Sequence, residues 1–415
     1  MMKFCLRLFI SIFILLPVLY GRSFDERDFP IQDEGRVKPL DTFSRNQLLA
    51  LYGKRSVKHE KLSAIDWLFD LILNPEKGGM EKVFNIRNPE VTASLRLEWT
   101  NDHKYSFIEV FPGLMEQVEL ISVIHKKPDE SRTIFEQQLL EIYFNATRFK
   151  EITYSLSCLV PFIEINDSLL AEKLNTSPGK AVSYAHLTKQ FQTLSEMFHN
   201  NMNKPEDKWS ESDKELNRIL LTLQHTSSDD FAKALKLIPP SPLDETKTWL
   251  SPWELMDGKP REPYQDKILN ALEKYLAGRA SKDEKIIMSA LLDYEKGITS
   301  IGKEKPNIIL LKKETWMNKA NLFYISVAFY LLAFISLGFS WMFHQPKYFQ
   351  RISAGLLCTG LLYHTYGIYL RMVIMGRPPV STLYESVIFV GFVTVVCAVI
   401  LNIFAEMAWD YLPEQ

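Results

Sequence analysis

The segment ISAGLLCTGLLYHTYGIYL, residues 352–370, contains no Asp, Glu, Lys or Arg and is followed directly by Arg371. Two further segments, 320–346 and 386–405, are free of charged residues in the same way. A helix needs roughly 20 apolar residues to cross the hydrocarbon core of a bilayer. The sequence therefore predicts three transmembrane helices, over about residues 320–343, 352–374 and 383–405.

The whole-chain composition hides these segments. The 415 residues include 48 Lys+Arg against 50 Asp+Glu, with a formal net charge of −2. These averages resemble those of a soluble protein because roughly 300 polar residues dilute the apolar segments. A protein with a net charge near zero lacks the broad positive electrostatic field that nonspecific nucleic-acid binding requires. No nucleic-acid partner is therefore expected. Four Cys are too few for a disulfide-dense secreted scaffold.

The N-terminus has the pattern of an export signal. Lys3 and Arg7 precede a short apolar run, residues 8–19, and polar residues follow it. This order is typical of a secretory signal peptide or signal-anchor. Lys347 and Arg351 then lie on the cytoplasmic side, in agreement with the positive-inside rule. The predicted domains are the signal (1–21), a large extracytoplasmic domain (22–319) and a membrane domain (320–415).

The extracytoplasmic domain is predicted to be mostly helical with a small β excursion, so the fold class is mainly α. The excursion is expected in VTASLRLEW (91–99) and KYSFIEVF (104–111), whose composition is strand-like. Asp41-Thr42 and Ser63 are predicted caps of the first two helices. Apolar periodicity predicts helices over Phe43–Tyr52, Ile65–Leu73, Ile134–Phe149, Tyr184–Asn200, Lys214–Leu223, Tyr264–Leu276 and Glu284–Tyr294.

The stretch FPIQDEGRVKPLDTF, residues 29–43, predicts a fixed turn that leads into a capped helix. Two interpretations stay open. The stretch forms only a structural turn, or Arg36 and Lys38 present cations to a carboxylate or to a partner protein.

The middle membrane helix carries the polar residues that suggest chemistry. Projected at 100° per residue, Gly360, His364, Gly367 and Arg371 lie within roughly 60° of one another. Ionisable groups in a bilayer are costly unless they face protein, water or a ligand. The glycines allow another helix or a flat ligand to approach closely. A neutral imidazole at this depth can ligate haem iron, and the alternative is a histidine hydrogen-bonded between packed helices.

The segment after this helix, MGRPPVSTLYESVIFVGF (375–392), predicts a stiff hairpin between two membrane helices. Gly376 and the pair Pro378-Pro379 favour a tight turn. Glu385 has capping-box spacing from Thr382. Tyr384 is a residue type found at the membrane interface.

The residues from Tyr363 to Phe389, YHTYGIYLRMVIMGRPPVSTLYESVIF, resemble the cytochrome c assembly family, which comprises haem-handling membrane proteins of the CcsA/ResC type. In that family, a helix with a histidine and a later arginine precedes a Gly-x-x-Pro-x-Ser/Thr-Asn-x-Tyr-Glu-Ser turn. QDEGRVKPLDTFSRN (32–46) is similar to the first residues of a long family variant with an N-terminal extracytoplasmic segment. The matching positions are His364, Gly367, Arg371, Gly376, Pro378 or Pro379, Ser381, Tyr384, Glu385 and Ser386.

The resemblance implies haem as the cofactor. His364 would be the iron ligand, Arg371 and Arg377 would contact the propionates, and Tyr384-Glu385 would anchor the hairpin. Thr382 stands where the family usually has Asn. Arg377 stands where many relatives have His.

The family's tryptophan-rich WWD segment is absent, because none of the eight tryptophans forms it. The resemblance therefore implies a second membrane subunit that carries this segment, and apocytochrome c as the acceptor. This chain has no CxxCH motif and would not be the acceptor itself. It would help bind or deliver haem at the outer face of the inner (cytoplasmic) membrane, as a multi-pass protein. At most it would be a partial subunit of a haem lyase, not competent alone.

Two interpretations from other classes stay open. One is a noncatalytic membrane-anchored scaffold that binds partner proteins through the extracytoplasmic domain. The other is a membrane sensor, against which the seven-residue tail WDYLPEQ argues because it offers no output domain.

Overall fold

The computed structural model describes residues 23–57, 62–202, 204–227, 233–256, 260–302, 305–343 and 346–410. The predicted signal, residues 1–21, lies outside them. The fold is mainly helical, with 68% helix and 6% strand. The chain divides into a compact unit from Phe24 to Pro306 and a second unit that contains the residues from Asn307 onward. This division lies at Asn307, one helix before the predicted start of the membrane domain at residue 320. The predicted domain boundary stays a prediction.

The first unit is built from helices of very different length. The longest have 21, 19, 17 and 16 residues, and several have only six. The helices are α1 (Leu40–Tyr52), α2 (Ala64–Leu73), α3 (Pro75–Met80), α4 (Pro89–Ser94), α5 (Phe107–Glu116), α6 (Val118–Lys126), α7 (Ile134–Tyr154), α8 (Ser168–Lys173), α9 (Tyr184–Lys189), α10 (Phe191–Met202), α11 (Glu211–Ser227), α12 (Pro263–Ser281) and α13 (Glu284–Thr299).

The strands form three separate antiparallel pairs. They are β1 (Pro30–Asp33) with β2 (Arg36–Pro39), β3 (Phe84–Asn85) with β4 (Lys104–Tyr105), and β5 (Ile163–Ile165) with β6 (Lys180–Val182). In the first pair Asp33 opposes Arg36, so Glu34 and Gly35 form a two-residue turn. Both turn residues have positive φ, 50° and 78°, as a tight hairpin of this length requires. The turn predicted at Gly35 is confirmed.

The β excursion predicted over residues 91–111 is wrong in its placement. Its two ends lie in α4 and α5, and Lys104–Tyr105 is the strand between them. Helix caps decide the outcome. Asn88 accepts a hydrogen bond from the backbone N–H of Glu90, and Ser106 forms a capping box with Glu109. These local hydrogen bonds outweigh the weak strand propensity of the sequence.

Of the two predicted helix caps, Ser63 is confirmed and Asp41-Thr42 is wrong. The Ser63 hydroxyl accepts a hydrogen bond from the backbone N–H of Asp66. Helix α1 begins at Leu40 after Pro39, so Asp41 lies inside it and pairs with Arg45 instead. The predicted helix over Tyr184–Asn200 is interrupted at Gln190, between α9 and α10.

Aromatic side chains form the core of the first unit. Phe29, at the start of the β1–β2 hairpin, lies 4.3 Å from Tyr294 and 5.3 Å from Tyr275, measured between ring centroids. These two tyrosines belong to α12 and α13, so the hairpin is fixed to a helical pair far along the sequence. Burial raises the pKa of both phenols well above the ordinary value. A smaller core of Ile, Leu, Ala and Val side chains lies between β5 and α11.

The described residues of the second unit form four helices: α14 (Ile308–Ala320), α15 (Leu322–Met342), α16 (Pro346–Met375) and α17 (Leu383–Asp410). Asn321, with φ of 50°, separates α14 from α15. Leu310, Trp316 and Met317 of α14 pack against a small cluster that includes Leu370. This packing explains why α14 belongs to the second unit.

Helices α15 and α16 pack antiparallel with small polar residues between them. Ser353 donates a hydrogen bond to the carbonyl of Ala333 at 2.7 Å, and Ser336 donates one to the carbonyl of Phe349 at 3.0 Å. Hydrogen bonds of this kind join helices in membranes, where burial of apolar surface does not drive association. The outward-facing side chains of α15 are apolar and exposed, such as Phe334 at 75% and Trp341 at 82%.

Two segments of the described chain are long and apolar enough to cross a membrane, Ile308–Met342 and Leu383–Leu401. They correspond to the first and third predicted membrane helices. The second predicted membrane helix corresponds to α16, which has 30 residues but a less apolar composition. Lys347, Arg351, His364 and Arg371 lie along it. Its crossing of the membrane stays a prediction.

Candidate functional site

His364 is buried in the second unit, with 7% of the residue exposed. Its Nδ1 atom lies 3.2 Å from the hydroxyl oxygen of Tyr330 on α15. Its Nε2 atom makes no hydrogen bond within the described part of the chain. The backbone carbonyl of Ile388 on α17 also lies near the ring, where it can accept a hydrogen bond from it. The imidazole is therefore held at one nitrogen, and the other nitrogen lacks a well-formed partner.

Aromatic rings surround the imidazole. Phe323 of α15 and Phe392 of α17 present their edges to it, with ring centroids 5.8 Å and 5.6 Å away. The ring of Tyr330 lies 6.1 Å away at an angle of 50°. The histidine thus lies at the junction of α15, α16 and α17.

The two glycines predicted to share this face allow helix contact. A Cβ atom added to Gly360 would lie 2.7 Å from the ring of Tyr330. One added to Gly367 would lie 2.9 Å from the ring of Phe323. Of the two alternatives, another helix or a flat ligand, the structure brings another helix to both glycines.

Arg371 and Arg377 converge on a single buried carboxylate. Arg371 donates from Nε to Oε1 of Glu385 at 3.0 Å, and Nη2 of Arg377 lies 3.7 Å from the same oxygen. The Glu385 side chain is 1% exposed. Its other oxygen accepts a hydrogen bond from the backbone N–H of Ser381 at 3.2 Å. Two guanidinium groups and one carboxylate leave one net positive charge at this end of the helices.

The hairpin between α16 and α17 has the predicted turn. Gly376 has φ of 63°, and its N–H donates to the carbonyl of Met372 at 2.9 Å. The carbonyl of Pro378 accepts a hydrogen bond from the hydroxyl of Ser381, and Pro379 follows within the same turn. The left-handed conformation at Gly376 ends α16 because glycine adopts it without steric cost.

Glu385 and Tyr384 both hold this hairpin to α16. The backbone N–H of Glu385 donates to the hydroxyl of Thr382, which gives half of the predicted capping box. The carboxylate is bound by Arg371 and the Ser381 N–H instead of closing the box. The guanidinium of Arg371 also lies 5.2 Å from the centroid of the Tyr384 ring, within cation–π distance.

In the first unit, Lys38 contacts carboxylates of its own hairpin, and a contact with a partner protein stays a prediction. The Lys38 side chain is 3% exposed, and its ammonium group lies 2.8 Å from Asp33 and 3.0 Å from Glu34. Its charge is therefore neutralised inside the β1–β2 hairpin. Arg36 is half-buried on the same hairpin, and its role at a partner surface stays a prediction.

The same hairpin borders a cavity of about 490 Å³ with charged walls. Arg148 donates to Asp33 at 3.2 Å, which connects the hairpin to α7. Gln32 accepts a hydrogen bond from the Trp249 N–H at 2.8 Å and donates to the carbonyl of Lys247 at 3.1 Å. The cavity lining includes Gln32, Asp33, Gly35, Arg148, Glu151 and Lys236.

Cys158 is a packed core residue. It is fully buried, and burial raises the pKa of its thiol well above the ordinary value. Cys397 is also a free thiol. A buried thiol with a raised pKa is a poor nucleophile, which agrees with the absence of a CxxC motif.

Sequence reasoning missed the partners of the predicted residues. Tyr330, Phe323 and Phe392 contact His364 from helices whose register the sequence does not reveal. Arg148 was missed as the ion-pair partner of Asp33. Glu385 was predicted as a cap and as a hairpin anchor, but its ion pair with the arginines was missed, although an acid next to two arginines at a helix junction is a signal for one.

The described residues contain no group of three or more His, Cys, Asp and Glu side chains that could hold a metal ion. The Nε2 atom of His364 has no hydrogen-bond partner among the described residues, and the two arginines leave one net positive charge beside Glu385. Comparisons of the chain with protein families, with curated proteins and with solved structures found no match.

Proposed function

We propose that this protein is a membrane component of cytochrome c maturation, which helps bind or deliver haem at the outer face of the inner membrane for attachment to apocytochrome c. The observation that carries the proposal is the buried imidazole of His364, with Nδ1 held by Tyr330 and Nε2 left open. Burying a polar atom without a partner costs about 1–3 kcal/mol. An iron ligand is a function that would justify this cost.

The arginines support the same proposal. His364 and Arg371 are seven residues apart on one helix, which corresponds to about 10 Å along the axis. The acidic propionates of haem would meet the net positive charge of the Arg371–Glu385–Arg377 group. When bound, haem supplies the iron and the vinyl groups to which cytochrome thiols attach. The residues of this chain would bind and orient it.

Helix α16 would then be the middle one of three membrane helices. Its 30 residues extend about 45 Å, which is enough to cross a bilayer. Its polar side chains face α15 and α17, where they have partners, which lowers the cost of placing them at membrane depth. The loop with Lys347 and Arg351 would lie inside, and the hairpin at Gly376 outside.

The partners follow from this placement. Apocytochrome c would approach from the extracytoplasmic side, where residues 22–319 would lie. A second membrane subunit would contribute the tryptophan-rich segment that none of the eight tryptophans of this chain forms.

The test is to purify the full chain from membranes together with the subunits that copurify, and to record the Soret band and the haem content. The wild-type protein should retain haem, and His364→Ala should lose most of it. His125→Ala is the matched control, because His125 is an exposed histidine of α6. Haem content that is absent or indifferent to His364→Ala would reject the proposal.

A noncatalytic scaffold is the second candidate function. It is favoured by the charged cavity of about 490 Å³ in the first unit, next to the β1–β2 hairpin. A scaffold would bind a partner protein through this unit and use the apolar helices only as an anchor. It would copurify with partners at wild-type levels in the His364→Ala variant and would contain no haem.

A further inference from the structure

The cavity beside the β1–β2 hairpin is formed by segments that are far apart in sequence. They include the hairpin turn, the C-terminal half of α7 and the segment 233–236. Hydrogen bonds join them: the backbone N–H of Gln32 donates to the carbonyl of Lys236 at 3.0 Å, and Arg148 of α7 donates to Asp33 at 3.2 Å. The volume of about 490 Å³ lies in the range of small-molecule sites. The cavity is therefore a built part of the first unit.

The acidic groups of the lining already have cationic partners. Both oxygens of Asp33 are paired, Oδ2 with Lys38 at 2.8 Å and Oδ1 with Arg148 at 3.2 Å. Glu34 lies 3.0 Å from the same Lys38 ammonium group, and Glu151 lies 3.5 Å from Arg148. These carboxylates neutralise cations of the wall, so they are poorly suited to bind a cationic ligand.

Two lysines of the lining are not paired in this way. The ammonium groups of Lys233 and Lys236 make no hydrogen bond or ion pair within the described part of the chain. Arg148 contributes further donors, because a guanidinium has five N–H groups and only two of them donate to Asp33 and Glu151. The ring of Phe43, whose centroid lies 5.5 Å from the guanidinium carbon, helps to fix this group. The unpaired donors of the cavity are therefore cationic.

The charge balance indicates which anion fits these donors. Three acidic and three basic side chains are among the described lining residues, and the buried Lys38 next to them adds one positive charge. A carboxylate carries one negative charge and would neutralise this excess. A phosphate dianion would leave an excess negative charge close to Glu34 and Glu151, and like charges at short range repel.

We propose that this cavity binds a carboxylate group, which is held by the ammonium groups of Lys233 and Lys236 and by the remaining N–H groups of Arg148. The carboxylate belongs to a small organic acid or to an acidic side chain of a partner protein. Hydrogen bonds between ionised groups are the strong ones, and the planar fork of arginine matches the geometry of a carboxylate. The inference concerns the first unit alone and does not depend on the haem function.

The experiment measures binding of three probes to the full chain in detergent by isothermal titration calorimetry. N-acetylglycine presents a carboxylate on a small molecule, and a peptide with blocked ends and one central glutamate presents it on a chain. Inorganic phosphate is the comparison anion. At least one carboxylate probe should bind more tightly than phosphate. Lys233→Gln and Lys236→Gln should each weaken this binding by about 10-fold, because each removes one charge-assisted hydrogen bond.

The matched control is Lys126→Gln, which removes an exposed lysine from α6 and should leave binding unchanged. A second measurement locates the site. Lysine acetylation by an amine-reactive reagent, read by mass spectrometry of peptides, should be slowed at Lys233 and Lys236 by the carboxylate probe that binds. Acetylation of Lys126 should not change.

Tighter binding of N-acetylglycine than of the peptide would identify the ligand as a small acid, and the reverse as an acidic side chain of a partner. Either result supports the site. Phosphate that binds at least as tightly as both carboxylate probes would overturn the inference. So would the absence of binding by both carboxylate probes, or binding that Lys233→Gln and Lys236→Gln leave unchanged. The haem content of His364→Ala is measured separately, so failure of either proposal is recognised independently of the other.

Discussion

Replacing Glu385 by Gln tests whether one carboxylate holds the hairpin between α16 and α17. The side chain of Glu385 is 1% exposed, so water cannot replace its partners. Its two oxygens accept from Arg371 at 3.0 Å and from the Ser381 N–H at 3.2 Å. Glutamine has nearly the same shape and retains one acceptor oxygen, but it carries no charge.

The magnitude follows from the change in these hydrogen bonds. A hydrogen bond to a charged group contributes about 1.5–3 kcal/mol, against about 0.5–1.5 kcal/mol for a neutral one. The weaker interaction with Arg377 at 3.7 Å is lost as well. We therefore expect Glu385→Gln to reduce the local stability of the hairpin by about 2 kcal/mol, which is roughly a 30-fold larger opening constant.

Hydrogen exchange of the full chain, followed by mass spectrometry of peptides over residues 376–390, measures this opening. Arg371→Ala should give a comparable effect, and Arg377→Ala a smaller one because of its longer distance. The double variant Arg371→Ala/Glu385→Ala should be less unstable than the sum of the single variants. Exchange within threefold of wild type in Glu385→Gln would refute the reasoning.

Three further predictions concern other parts of the chain. Gly360→Ala should destabilise the α15–α16 pair by about 1–3 kcal/mol, because the added methyl group collides with the Tyr330 ring at 2.7 Å. Unfolding in detergent measures this loss. The control is Gly355→Ala on the same helix, which should be neutral because no atom lies within 4 Å of the added methyl group. The pKa of Asp167 is lowered by the Ser212 hydroxyl and the Leu170 N–H. The contribution of the Asp167 carboxylate to the stability of the β5–α11 region should therefore be present above pH 4 and lost as the pH falls below about 4. Hydrogen exchange of residues 163–175 should show this loss, and Asp167→Asn should remove the pH dependence. Cysteine residues introduced at Gln350 and Val380 should be labelled by an impermeant thiol reagent only at Val380 in intact cells, after Cys358 and Cys397 are replaced by Ser; labelling of both or of Gln350 alone would contradict the proposed orientation.

The long helices of the first unit could be predicted because their apolar spacing is regular. The residues from Glu284 onward show it most clearly, and α13 begins at Glu284 as predicted. The strand prediction over residues 91–111 was wrong because it relied on strand-like composition and did not consider the helix caps at Asn88 and Ser106. Cap residues decide where short helices begin, and they depend on single hydrogen bonds.

The sequence placed His364, Gly360 and Gly367 on one face, and the structure brings α15 to that face. Tyr330 could not be predicted as the partner of His364, because the contact depends on the register between α15 and α16. The burial of Lys38 was missed for a similar reason. Its two carboxylates lie four and five residues earlier, and only the two-residue hairpin turn brings them back to it.

The most direct test of haem ligation by His364 is chemical rescue of the His364→Gly variant. Glycine leaves a space the size of an imidazole between Tyr330, Phe323 and Phe392. The full chain with this substitution, purified with its copurifying subunits and supplied with haem, should lack the Soret spectrum of the wild type and regain it when free imidazole is added. A wild-type spectrum without imidazole, or no recovery with it in a variant that retains its helical circular dichroism, would contradict the account.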